Sequence, residues 1–167
     1  MKLKKVIFSL LTAIIIYSIG ILAYRLIDIQ RHKNTEQIMN YTIIQQQSLN
    51  DYLLASSNGT VHYLFFFSKD NEDARYLKDT ILARLNTQTS VDISQIIEIV
   101  DLTDLPVIER EPYMSSTYNS TFPSFITLHK ENNAIVIDSV LNYDMNQPLK
   151  DDELKAWLSA NGVYFAS

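Results

Sequence analysis

The feature that most constrains this chain is VHYLFFFSKDNEDARYLKDTILARL, Val61 to Leu85, where an apolar run passes through a short polar turn into an amphipathic pattern. From Val61 to Phe67 both alternating faces are apolar or aromatic except at His62, which is the pattern of a central strand covered by helices on each side. Ser68 to Asp73 then supply side chains that can cap a helix. Ala74, Leu77, Ile81, Leu82 and Leu85 recur at three- and four-residue spacing and make one helical stripe. In many enzymes a strand-to-helix turn of this kind carries the chemistry, so its residues decide much of what the chain can do.

Composition removes several function classes. With 167 residues and 47% hydrophobic content, the chain has enough for one compact domain plus a short appendage and too little for two full domains. It contains no cysteine, which excludes disulfides, thiolate metal sites, iron–sulfur clusters and thiol nucleophiles. That absence does not fix the compartment, because a sufficient core can replace disulfides in an exported protein. The three glycines, Gly20, Gly59 and Gly162, cannot assemble a phosphate-cradling loop, so no nucleotide is expected. Residues 25 to 167 hold 11 Lys and Arg against 19 Asp and Glu, a balance of −8 that argues against nucleic acid as a partner. Neither a metal nor any other cofactor is called for.

Along the chain, Lys2, Lys4 and Lys5 precede Val6 to Tyr24, a run of 19 residues without a charge. As a helix rising about 1.5 Å per residue it is roughly 28 Å long, close to the hydrocarbon thickness of a bilayer. It is longer than a signal-peptide core and no A-x-A-like site follows, so a retained membrane anchor is expected over residues 1–24. The basic tip places the N-terminus inside and the remaining chain outside the cytoplasm, at the cell membrane. Arg25, Arg31 and Lys33 on the far side work against that orientation. A juxtamembrane linker is expected over 25–35 and a single domain over 36–167.

Within the domain, Asn34 and Gln37 resemble a capping pair, and Ile38, Tyr41, Ile44, Leu49, Tyr52 and Leu53 approximate a first packing helix. A coiled-coil stalk is the competing reading, interrupted by Gln45 to Gln47. After the Val61–Leu85 unit, Gln95 to Asp101 is a second apolar strand, parallel to the first across the intervening helix. Pro106 and Pro112 predict a short or broken helical region between 104 and 118. Ser124 to Lys130 and Ala134 to Leu141 read as a hairpin turning at Asn132-Asn133. Leu149 to Ala160 is a closing helix with Asp151, Asp152 and Glu153 at its favourable end and Asn161-Gly162 as its stop.

This order resembles a thioredoxin-type domain over about residues 36 to 163, and Thr121-Phe122-Pro123 directly before the third strand resembles that family's Thr-x-Pro element. The resemblance implies an α/β, thioredoxin-like fold, a βαβαββα core with a central mixed four-stranded sheet flanked by helices, which the uncharged Val6–Tyr24 run would precede as a transmembrane helix. It also implies a cis bond at Pro123, opposite the strand-to-helix turn. The positions that hold Cys-x-x-Cys in the family fall near Asp70 and Asp73. A carboxylate cannot form a mixed disulfide, so thiol–disulfide exchange is impossible here. What the family implies instead is strand addition of an extended peptide beside the proline. In size, anchor and element order the chain resembles small membrane-anchored thioredoxin-like proteins of Gram-positive bacteria, including those labelled bacteriocin transport accessory proteins.

The candidate partner-binding residues are therefore Ser68, Asp70, Asn71, Glu72 and Asp73 of the turn, with Thr121, Phe122 and Pro123 opposite. The acidic turn also reads simply as helix capping and dipole compensation, or as a site for a cation or basic peptide. Its spacing does not match a calcium loop. His62 reads as a core or edge histidine, His32 and His129 as exposed, and no G-x-S-x-G supports a hydrolase. Tyr41, Tyr52, Tyr113, Tyr118 and Tyr143 read as half-buried packing or as part of a partner surface. Three functions stay open: a redox-inactive domain that binds a protein or peptide at the cell envelope, a structural subunit of a membrane complex, and an enzyme using carboxylate or metal chemistry.

Overall fold

The computed structural model describes residues 39–165; the expected span Val6 to Tyr24, the linker and the Asn34–Gln37 pair lie outside the described residues. Strand β1 (Ile43–Gln45) leads through a 3-10 turn (Gln46–Ser48) into helix α1 (Leu49–Ala55), and β2 (Val61–Phe67) follows. Helix α2 (Glu72–Tyr76) continues through a π-helical segment (Leu77–Leu82) into α3 (Ala83–Gln88). A 3-10 turn (Ile93–Gln95) then precedes β3 (Ile97–Asp101) and α4 (Val107–Tyr118). The hairpin β4 (Ser124–Glu131) and β5 (Ala134–Asn142) and the last helix α5 (Asp151–Ala160) complete the domain.

The strands form one mixed sheet in the order β1-β3-β2-β4-β5, with β2 at its centre. β1 and β2 both run parallel to β3, whereas β4 is antiparallel to β2 and to β5. Alternation along β2 explains how both faces are filled. Phe65 packs with Leu77, Ile81, Leu85, Phe125, Leu154 and Leu158 under α2, α3 and α5. Leu64 and Phe66 point the other way, onto Leu49, Leu53, Met114 and Tyr118 of α1 and α4. Phe65 stacks on Phe125 across the strand pair, ring centroids 4.5 Å apart. This is the thioredoxin-like arrangement with five strands rather than the four expected.

The extra strand corrects the reading of Ile38 to Leu53 as one helix. Tyr41 packs into the core on one face of the sheet and Ile44 into the core on the other, a split that residues three apart on a helix could not make. The segment Thr42-Ile43-Ile44 is β-branched, and the edge of β3 offers it partners, as in the 2.8 Å bond from Ile99 N–H to the Thr42 carbonyl. Among the described residues 39–55, only Leu49 to Ala55 is α-helical.

A second correction concerns α4, which runs unbroken from Val107 to Tyr118 with Pro112 inside. Proline removes the amide that would bond the carbonyl of Ile108, four residues earlier. Ile108 is at an 83% exposed position, where water can replace that bond. The helix stops at Asn119, which takes the left-handed conformation at φ 50. The second apolar strand begins at Ile97, two residues later than expected, because Asp92 caps the 3-10 turn through a 3.0 Å bond from the Ser94 amide. The hairpin turns as the sequence predicts, with Asn132 at φ 47 and Asn133 at φ 65.

Candidate functional site

The site grows from the C-terminal end of β2. Phe66 lies opposite Ser124, so the next step of the antiparallel register sets Phe67 beside Pro123. The Phe122–Pro123 bond is cis, and Pro123 is buried. On the other side of β2, the Phe67 carbonyl accepts from Leu102 N–H at 2.8 Å and the Lys69 amide donates to Thr103 Oγ1 at 3.1 Å. The structure therefore brings together the Ser68–Asp73 turn, the loop entering α4, and Thr121 to Pro123.

Inside the turn Ser68, Asp70, Asn71 and Asp73 are already engaged within the domain. Asn71 is the N-cap of α2, its Oδ1 accepting from the Ala74 amide at 2.8 Å. Glu72 and Asp73 occupy the first turn, where the helix dipole favours acids, and Glu72 meets Arg75 only loosely at 3.8 Å. Burial first, and then the Asp73 carboxylate beside it, raise the Tyr143 phenol. Asp70 has the strongest partner. Arg110 Nη1 and Nη2 reach its two oxygens at 2.6 and 3.0 Å in a bidentate fork, and the buried Ser68 hydroxyl donates to the same carboxylate. The Arg110 hydrogen bonds, followed by that from Ser68, hold the Asp70 carboxyl well below the usual carboxylate range.

Arg110 projects from α4 and is itself buried. Its Nε bonds the Leu105 carbonyl at 2.9 Å and its Nη2 the Thr103 carbonyl at 3.2 Å, so one guanidinium laces the turn, the preceding loop and the helix together. The next residue, Glu111, accepts from the Phe122 amide at 2.9 Å, and Asn142 Oδ1 accepts from Thr121 N–H at 2.9 Å. The Phe122 amide, one of the backbone groups beside the proline where strand addition is expected, is thus held by a side chain of the domain itself.

Sequence spacing gave no indication of Arg110 or Glu111, because the segment carrying them read as a broken helix. An unbroken helix would have put Arg110, Met114 and Tyr118 on one inward face at four-residue spacing, which is where all three are buried. A second unexpected cluster lies on the same sheet face as α1. His62 Nδ1 is 2.8 Å from Glu98 Oε2, while the Tyr52 hydroxyl bonds the other oxygen of Glu98. Burial, then the bond to Glu98, pushes the Tyr52 phenol up to about 12. His62 is a core histidine, as the sequence indicates. His129 differs from expectation, being half-buried against Asp138 at 2.9 Å.

Chemically, the turn is organised for shape and charge. A carboxylate made less basic by a guanidinium is a weak proton acceptor, and the Ser68 hydroxyl is engaged by that same carboxylate. Among the described residues, no group of three or more His, Asp or Glu is placed to hold a metal ion. With no cysteine in the chain, thiol oxidoreductase activity has no nucleophile.

No family model matches the chain, and no curated protein matches it. Similar solved structures include thioredoxins. That of Trichomonas vaginalis is 13% identical, with 73% of this chain and 97% of that one covered at a TM-score of 0.45. Thioredoxin f2 of Chlamydomonas reinhardtii is 15% identical, covering 73% and 96% at 0.45. A Thermus thermophilus thioredoxin is 15% identical, covering 74% and 88% at 0.46. The fold assignment rests on strand order, register and core placement.

Proposed function

We propose that this chain is a redox-inactive, thioredoxin-like binding domain that recognises a protein or peptide where the Ser68–Asp73 turn, the start of α4 and Thr121 to Pro123 meet. The observation that carries this reading is the Asp70–Arg110 fork, which braces the turn against α4 near the positions that hold Cys-x-x-Cys in the family this chain resembles. A surface held rigid before contact loses little freedom on binding. Phe122 lies half-buried between the two cores; Asp70, Glu72 and Glu111 are exposed and Asp73 is half-buried. Tethering through Val6 to Tyr24, with the domain outside the cytoplasm, is part of the proposal and is supported by the uncharged run and its basic tip. An accessory role in exporting small peptides such as bacteriocins is its most specific form.

The test is selection of a random peptide library on the full-length chain. Enriched peptides are expected to lose binding to Phe122→Ser and to Asp73→Lys, while both variants keep the wild-type circular dichroism. No enrichment, or enriched peptides indifferent to both changes, refutes the proposal. The alternative of a structural subunit makes the opposite forecast for removal of Met1 to Tyr24: partner capture is lost with the span and does not depend on Phe122.

A further inference from the structure

The start of α4 leaves an apolar pair in water beside the site. Val107 is 71% exposed and Ile108 83% exposed: Val107 stands at the first position of α4, one turn before the buried Arg110, Met114 and Tyr118, and Ile108 points away from them. Adjacent branched aliphatic side chains at such exposure are unfavourable for a helix that needs neither of them for packing. They are also continuous with the proposed site. Glu111, one turn beyond Val107, bonds the Phe122 amide, and Arg110 from the same turn bonds Asp70.

The charge around this ridge has one dominant sign. Residues 68–75 and 103–112 contribute Asp70, Glu72, Asp73, Asp104, Glu109 and Glu111 against Lys69, Arg75 and Arg110. Of the three cations, Arg110 is buried and bonded to Asp70, and Arg75 lies near Glu72. An apolar ridge bordered by carboxylates complements apolar side chains bordered by lysine or arginine. A second copy of this domain is a poor match, since the described residues carry an acidic excess of their own.

Resting on the binding function above, we infer that the Val107–Ile108 ridge docks a cationic amphipathic peptide segment, its apolar side chains against the ridge and its basic side chains toward Asp104, Glu109 and the acidic turn. Such a complex forms faster and tighter at low ionic strength, because the pairing is solvent-exposed and screened by salt.

A short fluorescent Lys/Leu peptide with helical amphipathic spacing, and a Glu/Leu peptide of the same pattern, are the probes for anisotropy titration of the full-length chain. The Lys/Leu peptide should bind and weaken on going to roughly 0.3 M salt, where the screening length falls well under 10 Å. Ile108→Ser and Glu109→Lys should each weaken it roughly tenfold, the size of a modest interface contribution. Glu131→Lys, exposed at the opposite end of β4, should have little effect. Equal binding of both peptides, or equal losses for Glu109→Lys and Glu131→Lys, overturns the inference as unspecific adhesion. If Ile108→Ser changes the sedimentation mass and leaves peptide binding unaltered, the ridge joins two copies and the inference is wrong. Library peptides that need Phe122 but carry no net positive charge would leave the binding function standing and remove only its cationic partner.

Discussion

Asp70 and Arg110 form a lopsided pair: the arginine side chain is 5% exposed and the aspartate 46%. Removing the two partners should therefore have unequal consequences. Arg110→Met leaves a carboxylate that water can reach and two carbonyls, those of Leu105 and Thr103, without their donor. With hydrogen bonds to charged groups worth roughly 1.5–3 kcal/mol and rehydration offsetting part of the loss, the expected destabilisation is about 1–3 kcal/mol. Asp70→Ala strands a buried guanidinium, a situation that costs about 3–5 kcal/mol when no water reaches the charge. The opening left by the missing side chain admits some water, so about 2–4 kcal/mol is the working figure here. The double variant should recover part of that loss, since no unpaired charge remains.

The assay is urea unfolding followed by fluorescence of Trp157, the only tryptophan, which is packed on Phe125 and bonded to Ser139. At roughly 2 kcal/mol per molar urea, the Asp70→Ala midpoint should fall by about 1–2 M. The pH dependence has a definite sign. Asp70 has a folded pKa depressed below its unfolded value, so its contribution is complete above about pH 4 and fades as the solution is acidified through the folded value. The gap between wild type and Asp70→Asn should therefore stay constant from neutrality down to about pH 5 and close below about pH 4. An Asp70→Ala variant no less stable than Arg110→Met, or a gap that widens in acid, refutes the reasoning.

Other consequences can be measured separately. Glu111→Ala should expose the Phe122 amide and speed its hydrogen exchange while amides of central β2 keep their protection; an unchanged Phe122 rate counts against that contact. Phe65→Ala should cost about 3–5 kcal/mol in the same urea assay, as expected for a fully buried ring on the central strand, and a loss below about 1 kcal/mol would contradict the packing on Phe125. Tyr52 titrates later in the folded chain than the usual value of about 10, so it adds stability below that pH which disappears as pH rises through about 12. The stability advantage of wild type over Tyr52→Phe should accordingly shrink across that alkaline range, and growth of the advantage would be the contrary result.

Elements set by local pattern were readable from the sequence, and elements set by distant partners were not. The apolar run of β2, the asparagine turn of the hairpin and the acidic start of α5 each carry their own chemistry in consecutive residues. β1 does not, since Tyr41 and Ile44 fit a helical spacing equally well until the edge of β3 is present to pair with them. Pro112 misled for a related reason: its penalty depends on whether the orphaned carbonyl reaches water, which only the tertiary exposure of Ile108 reveals. The turn and Thr121 to Pro123 were placed together by element order alone. Arg110, 40 residues from Asp70, was invisible because an ion pair between separate elements leaves no spacing to read.

Backbone amide shifts of the full-length chain, recorded while the Lys/Leu peptide is added, test the central claim most directly. The account predicts that the largest changes fall on Ser68 to Asp73, Val107 to Glu111 and Phe122. Changes centred instead on the groove between α1, α4 and β5, at Leu53, Tyr113 and Ile135, would contradict it.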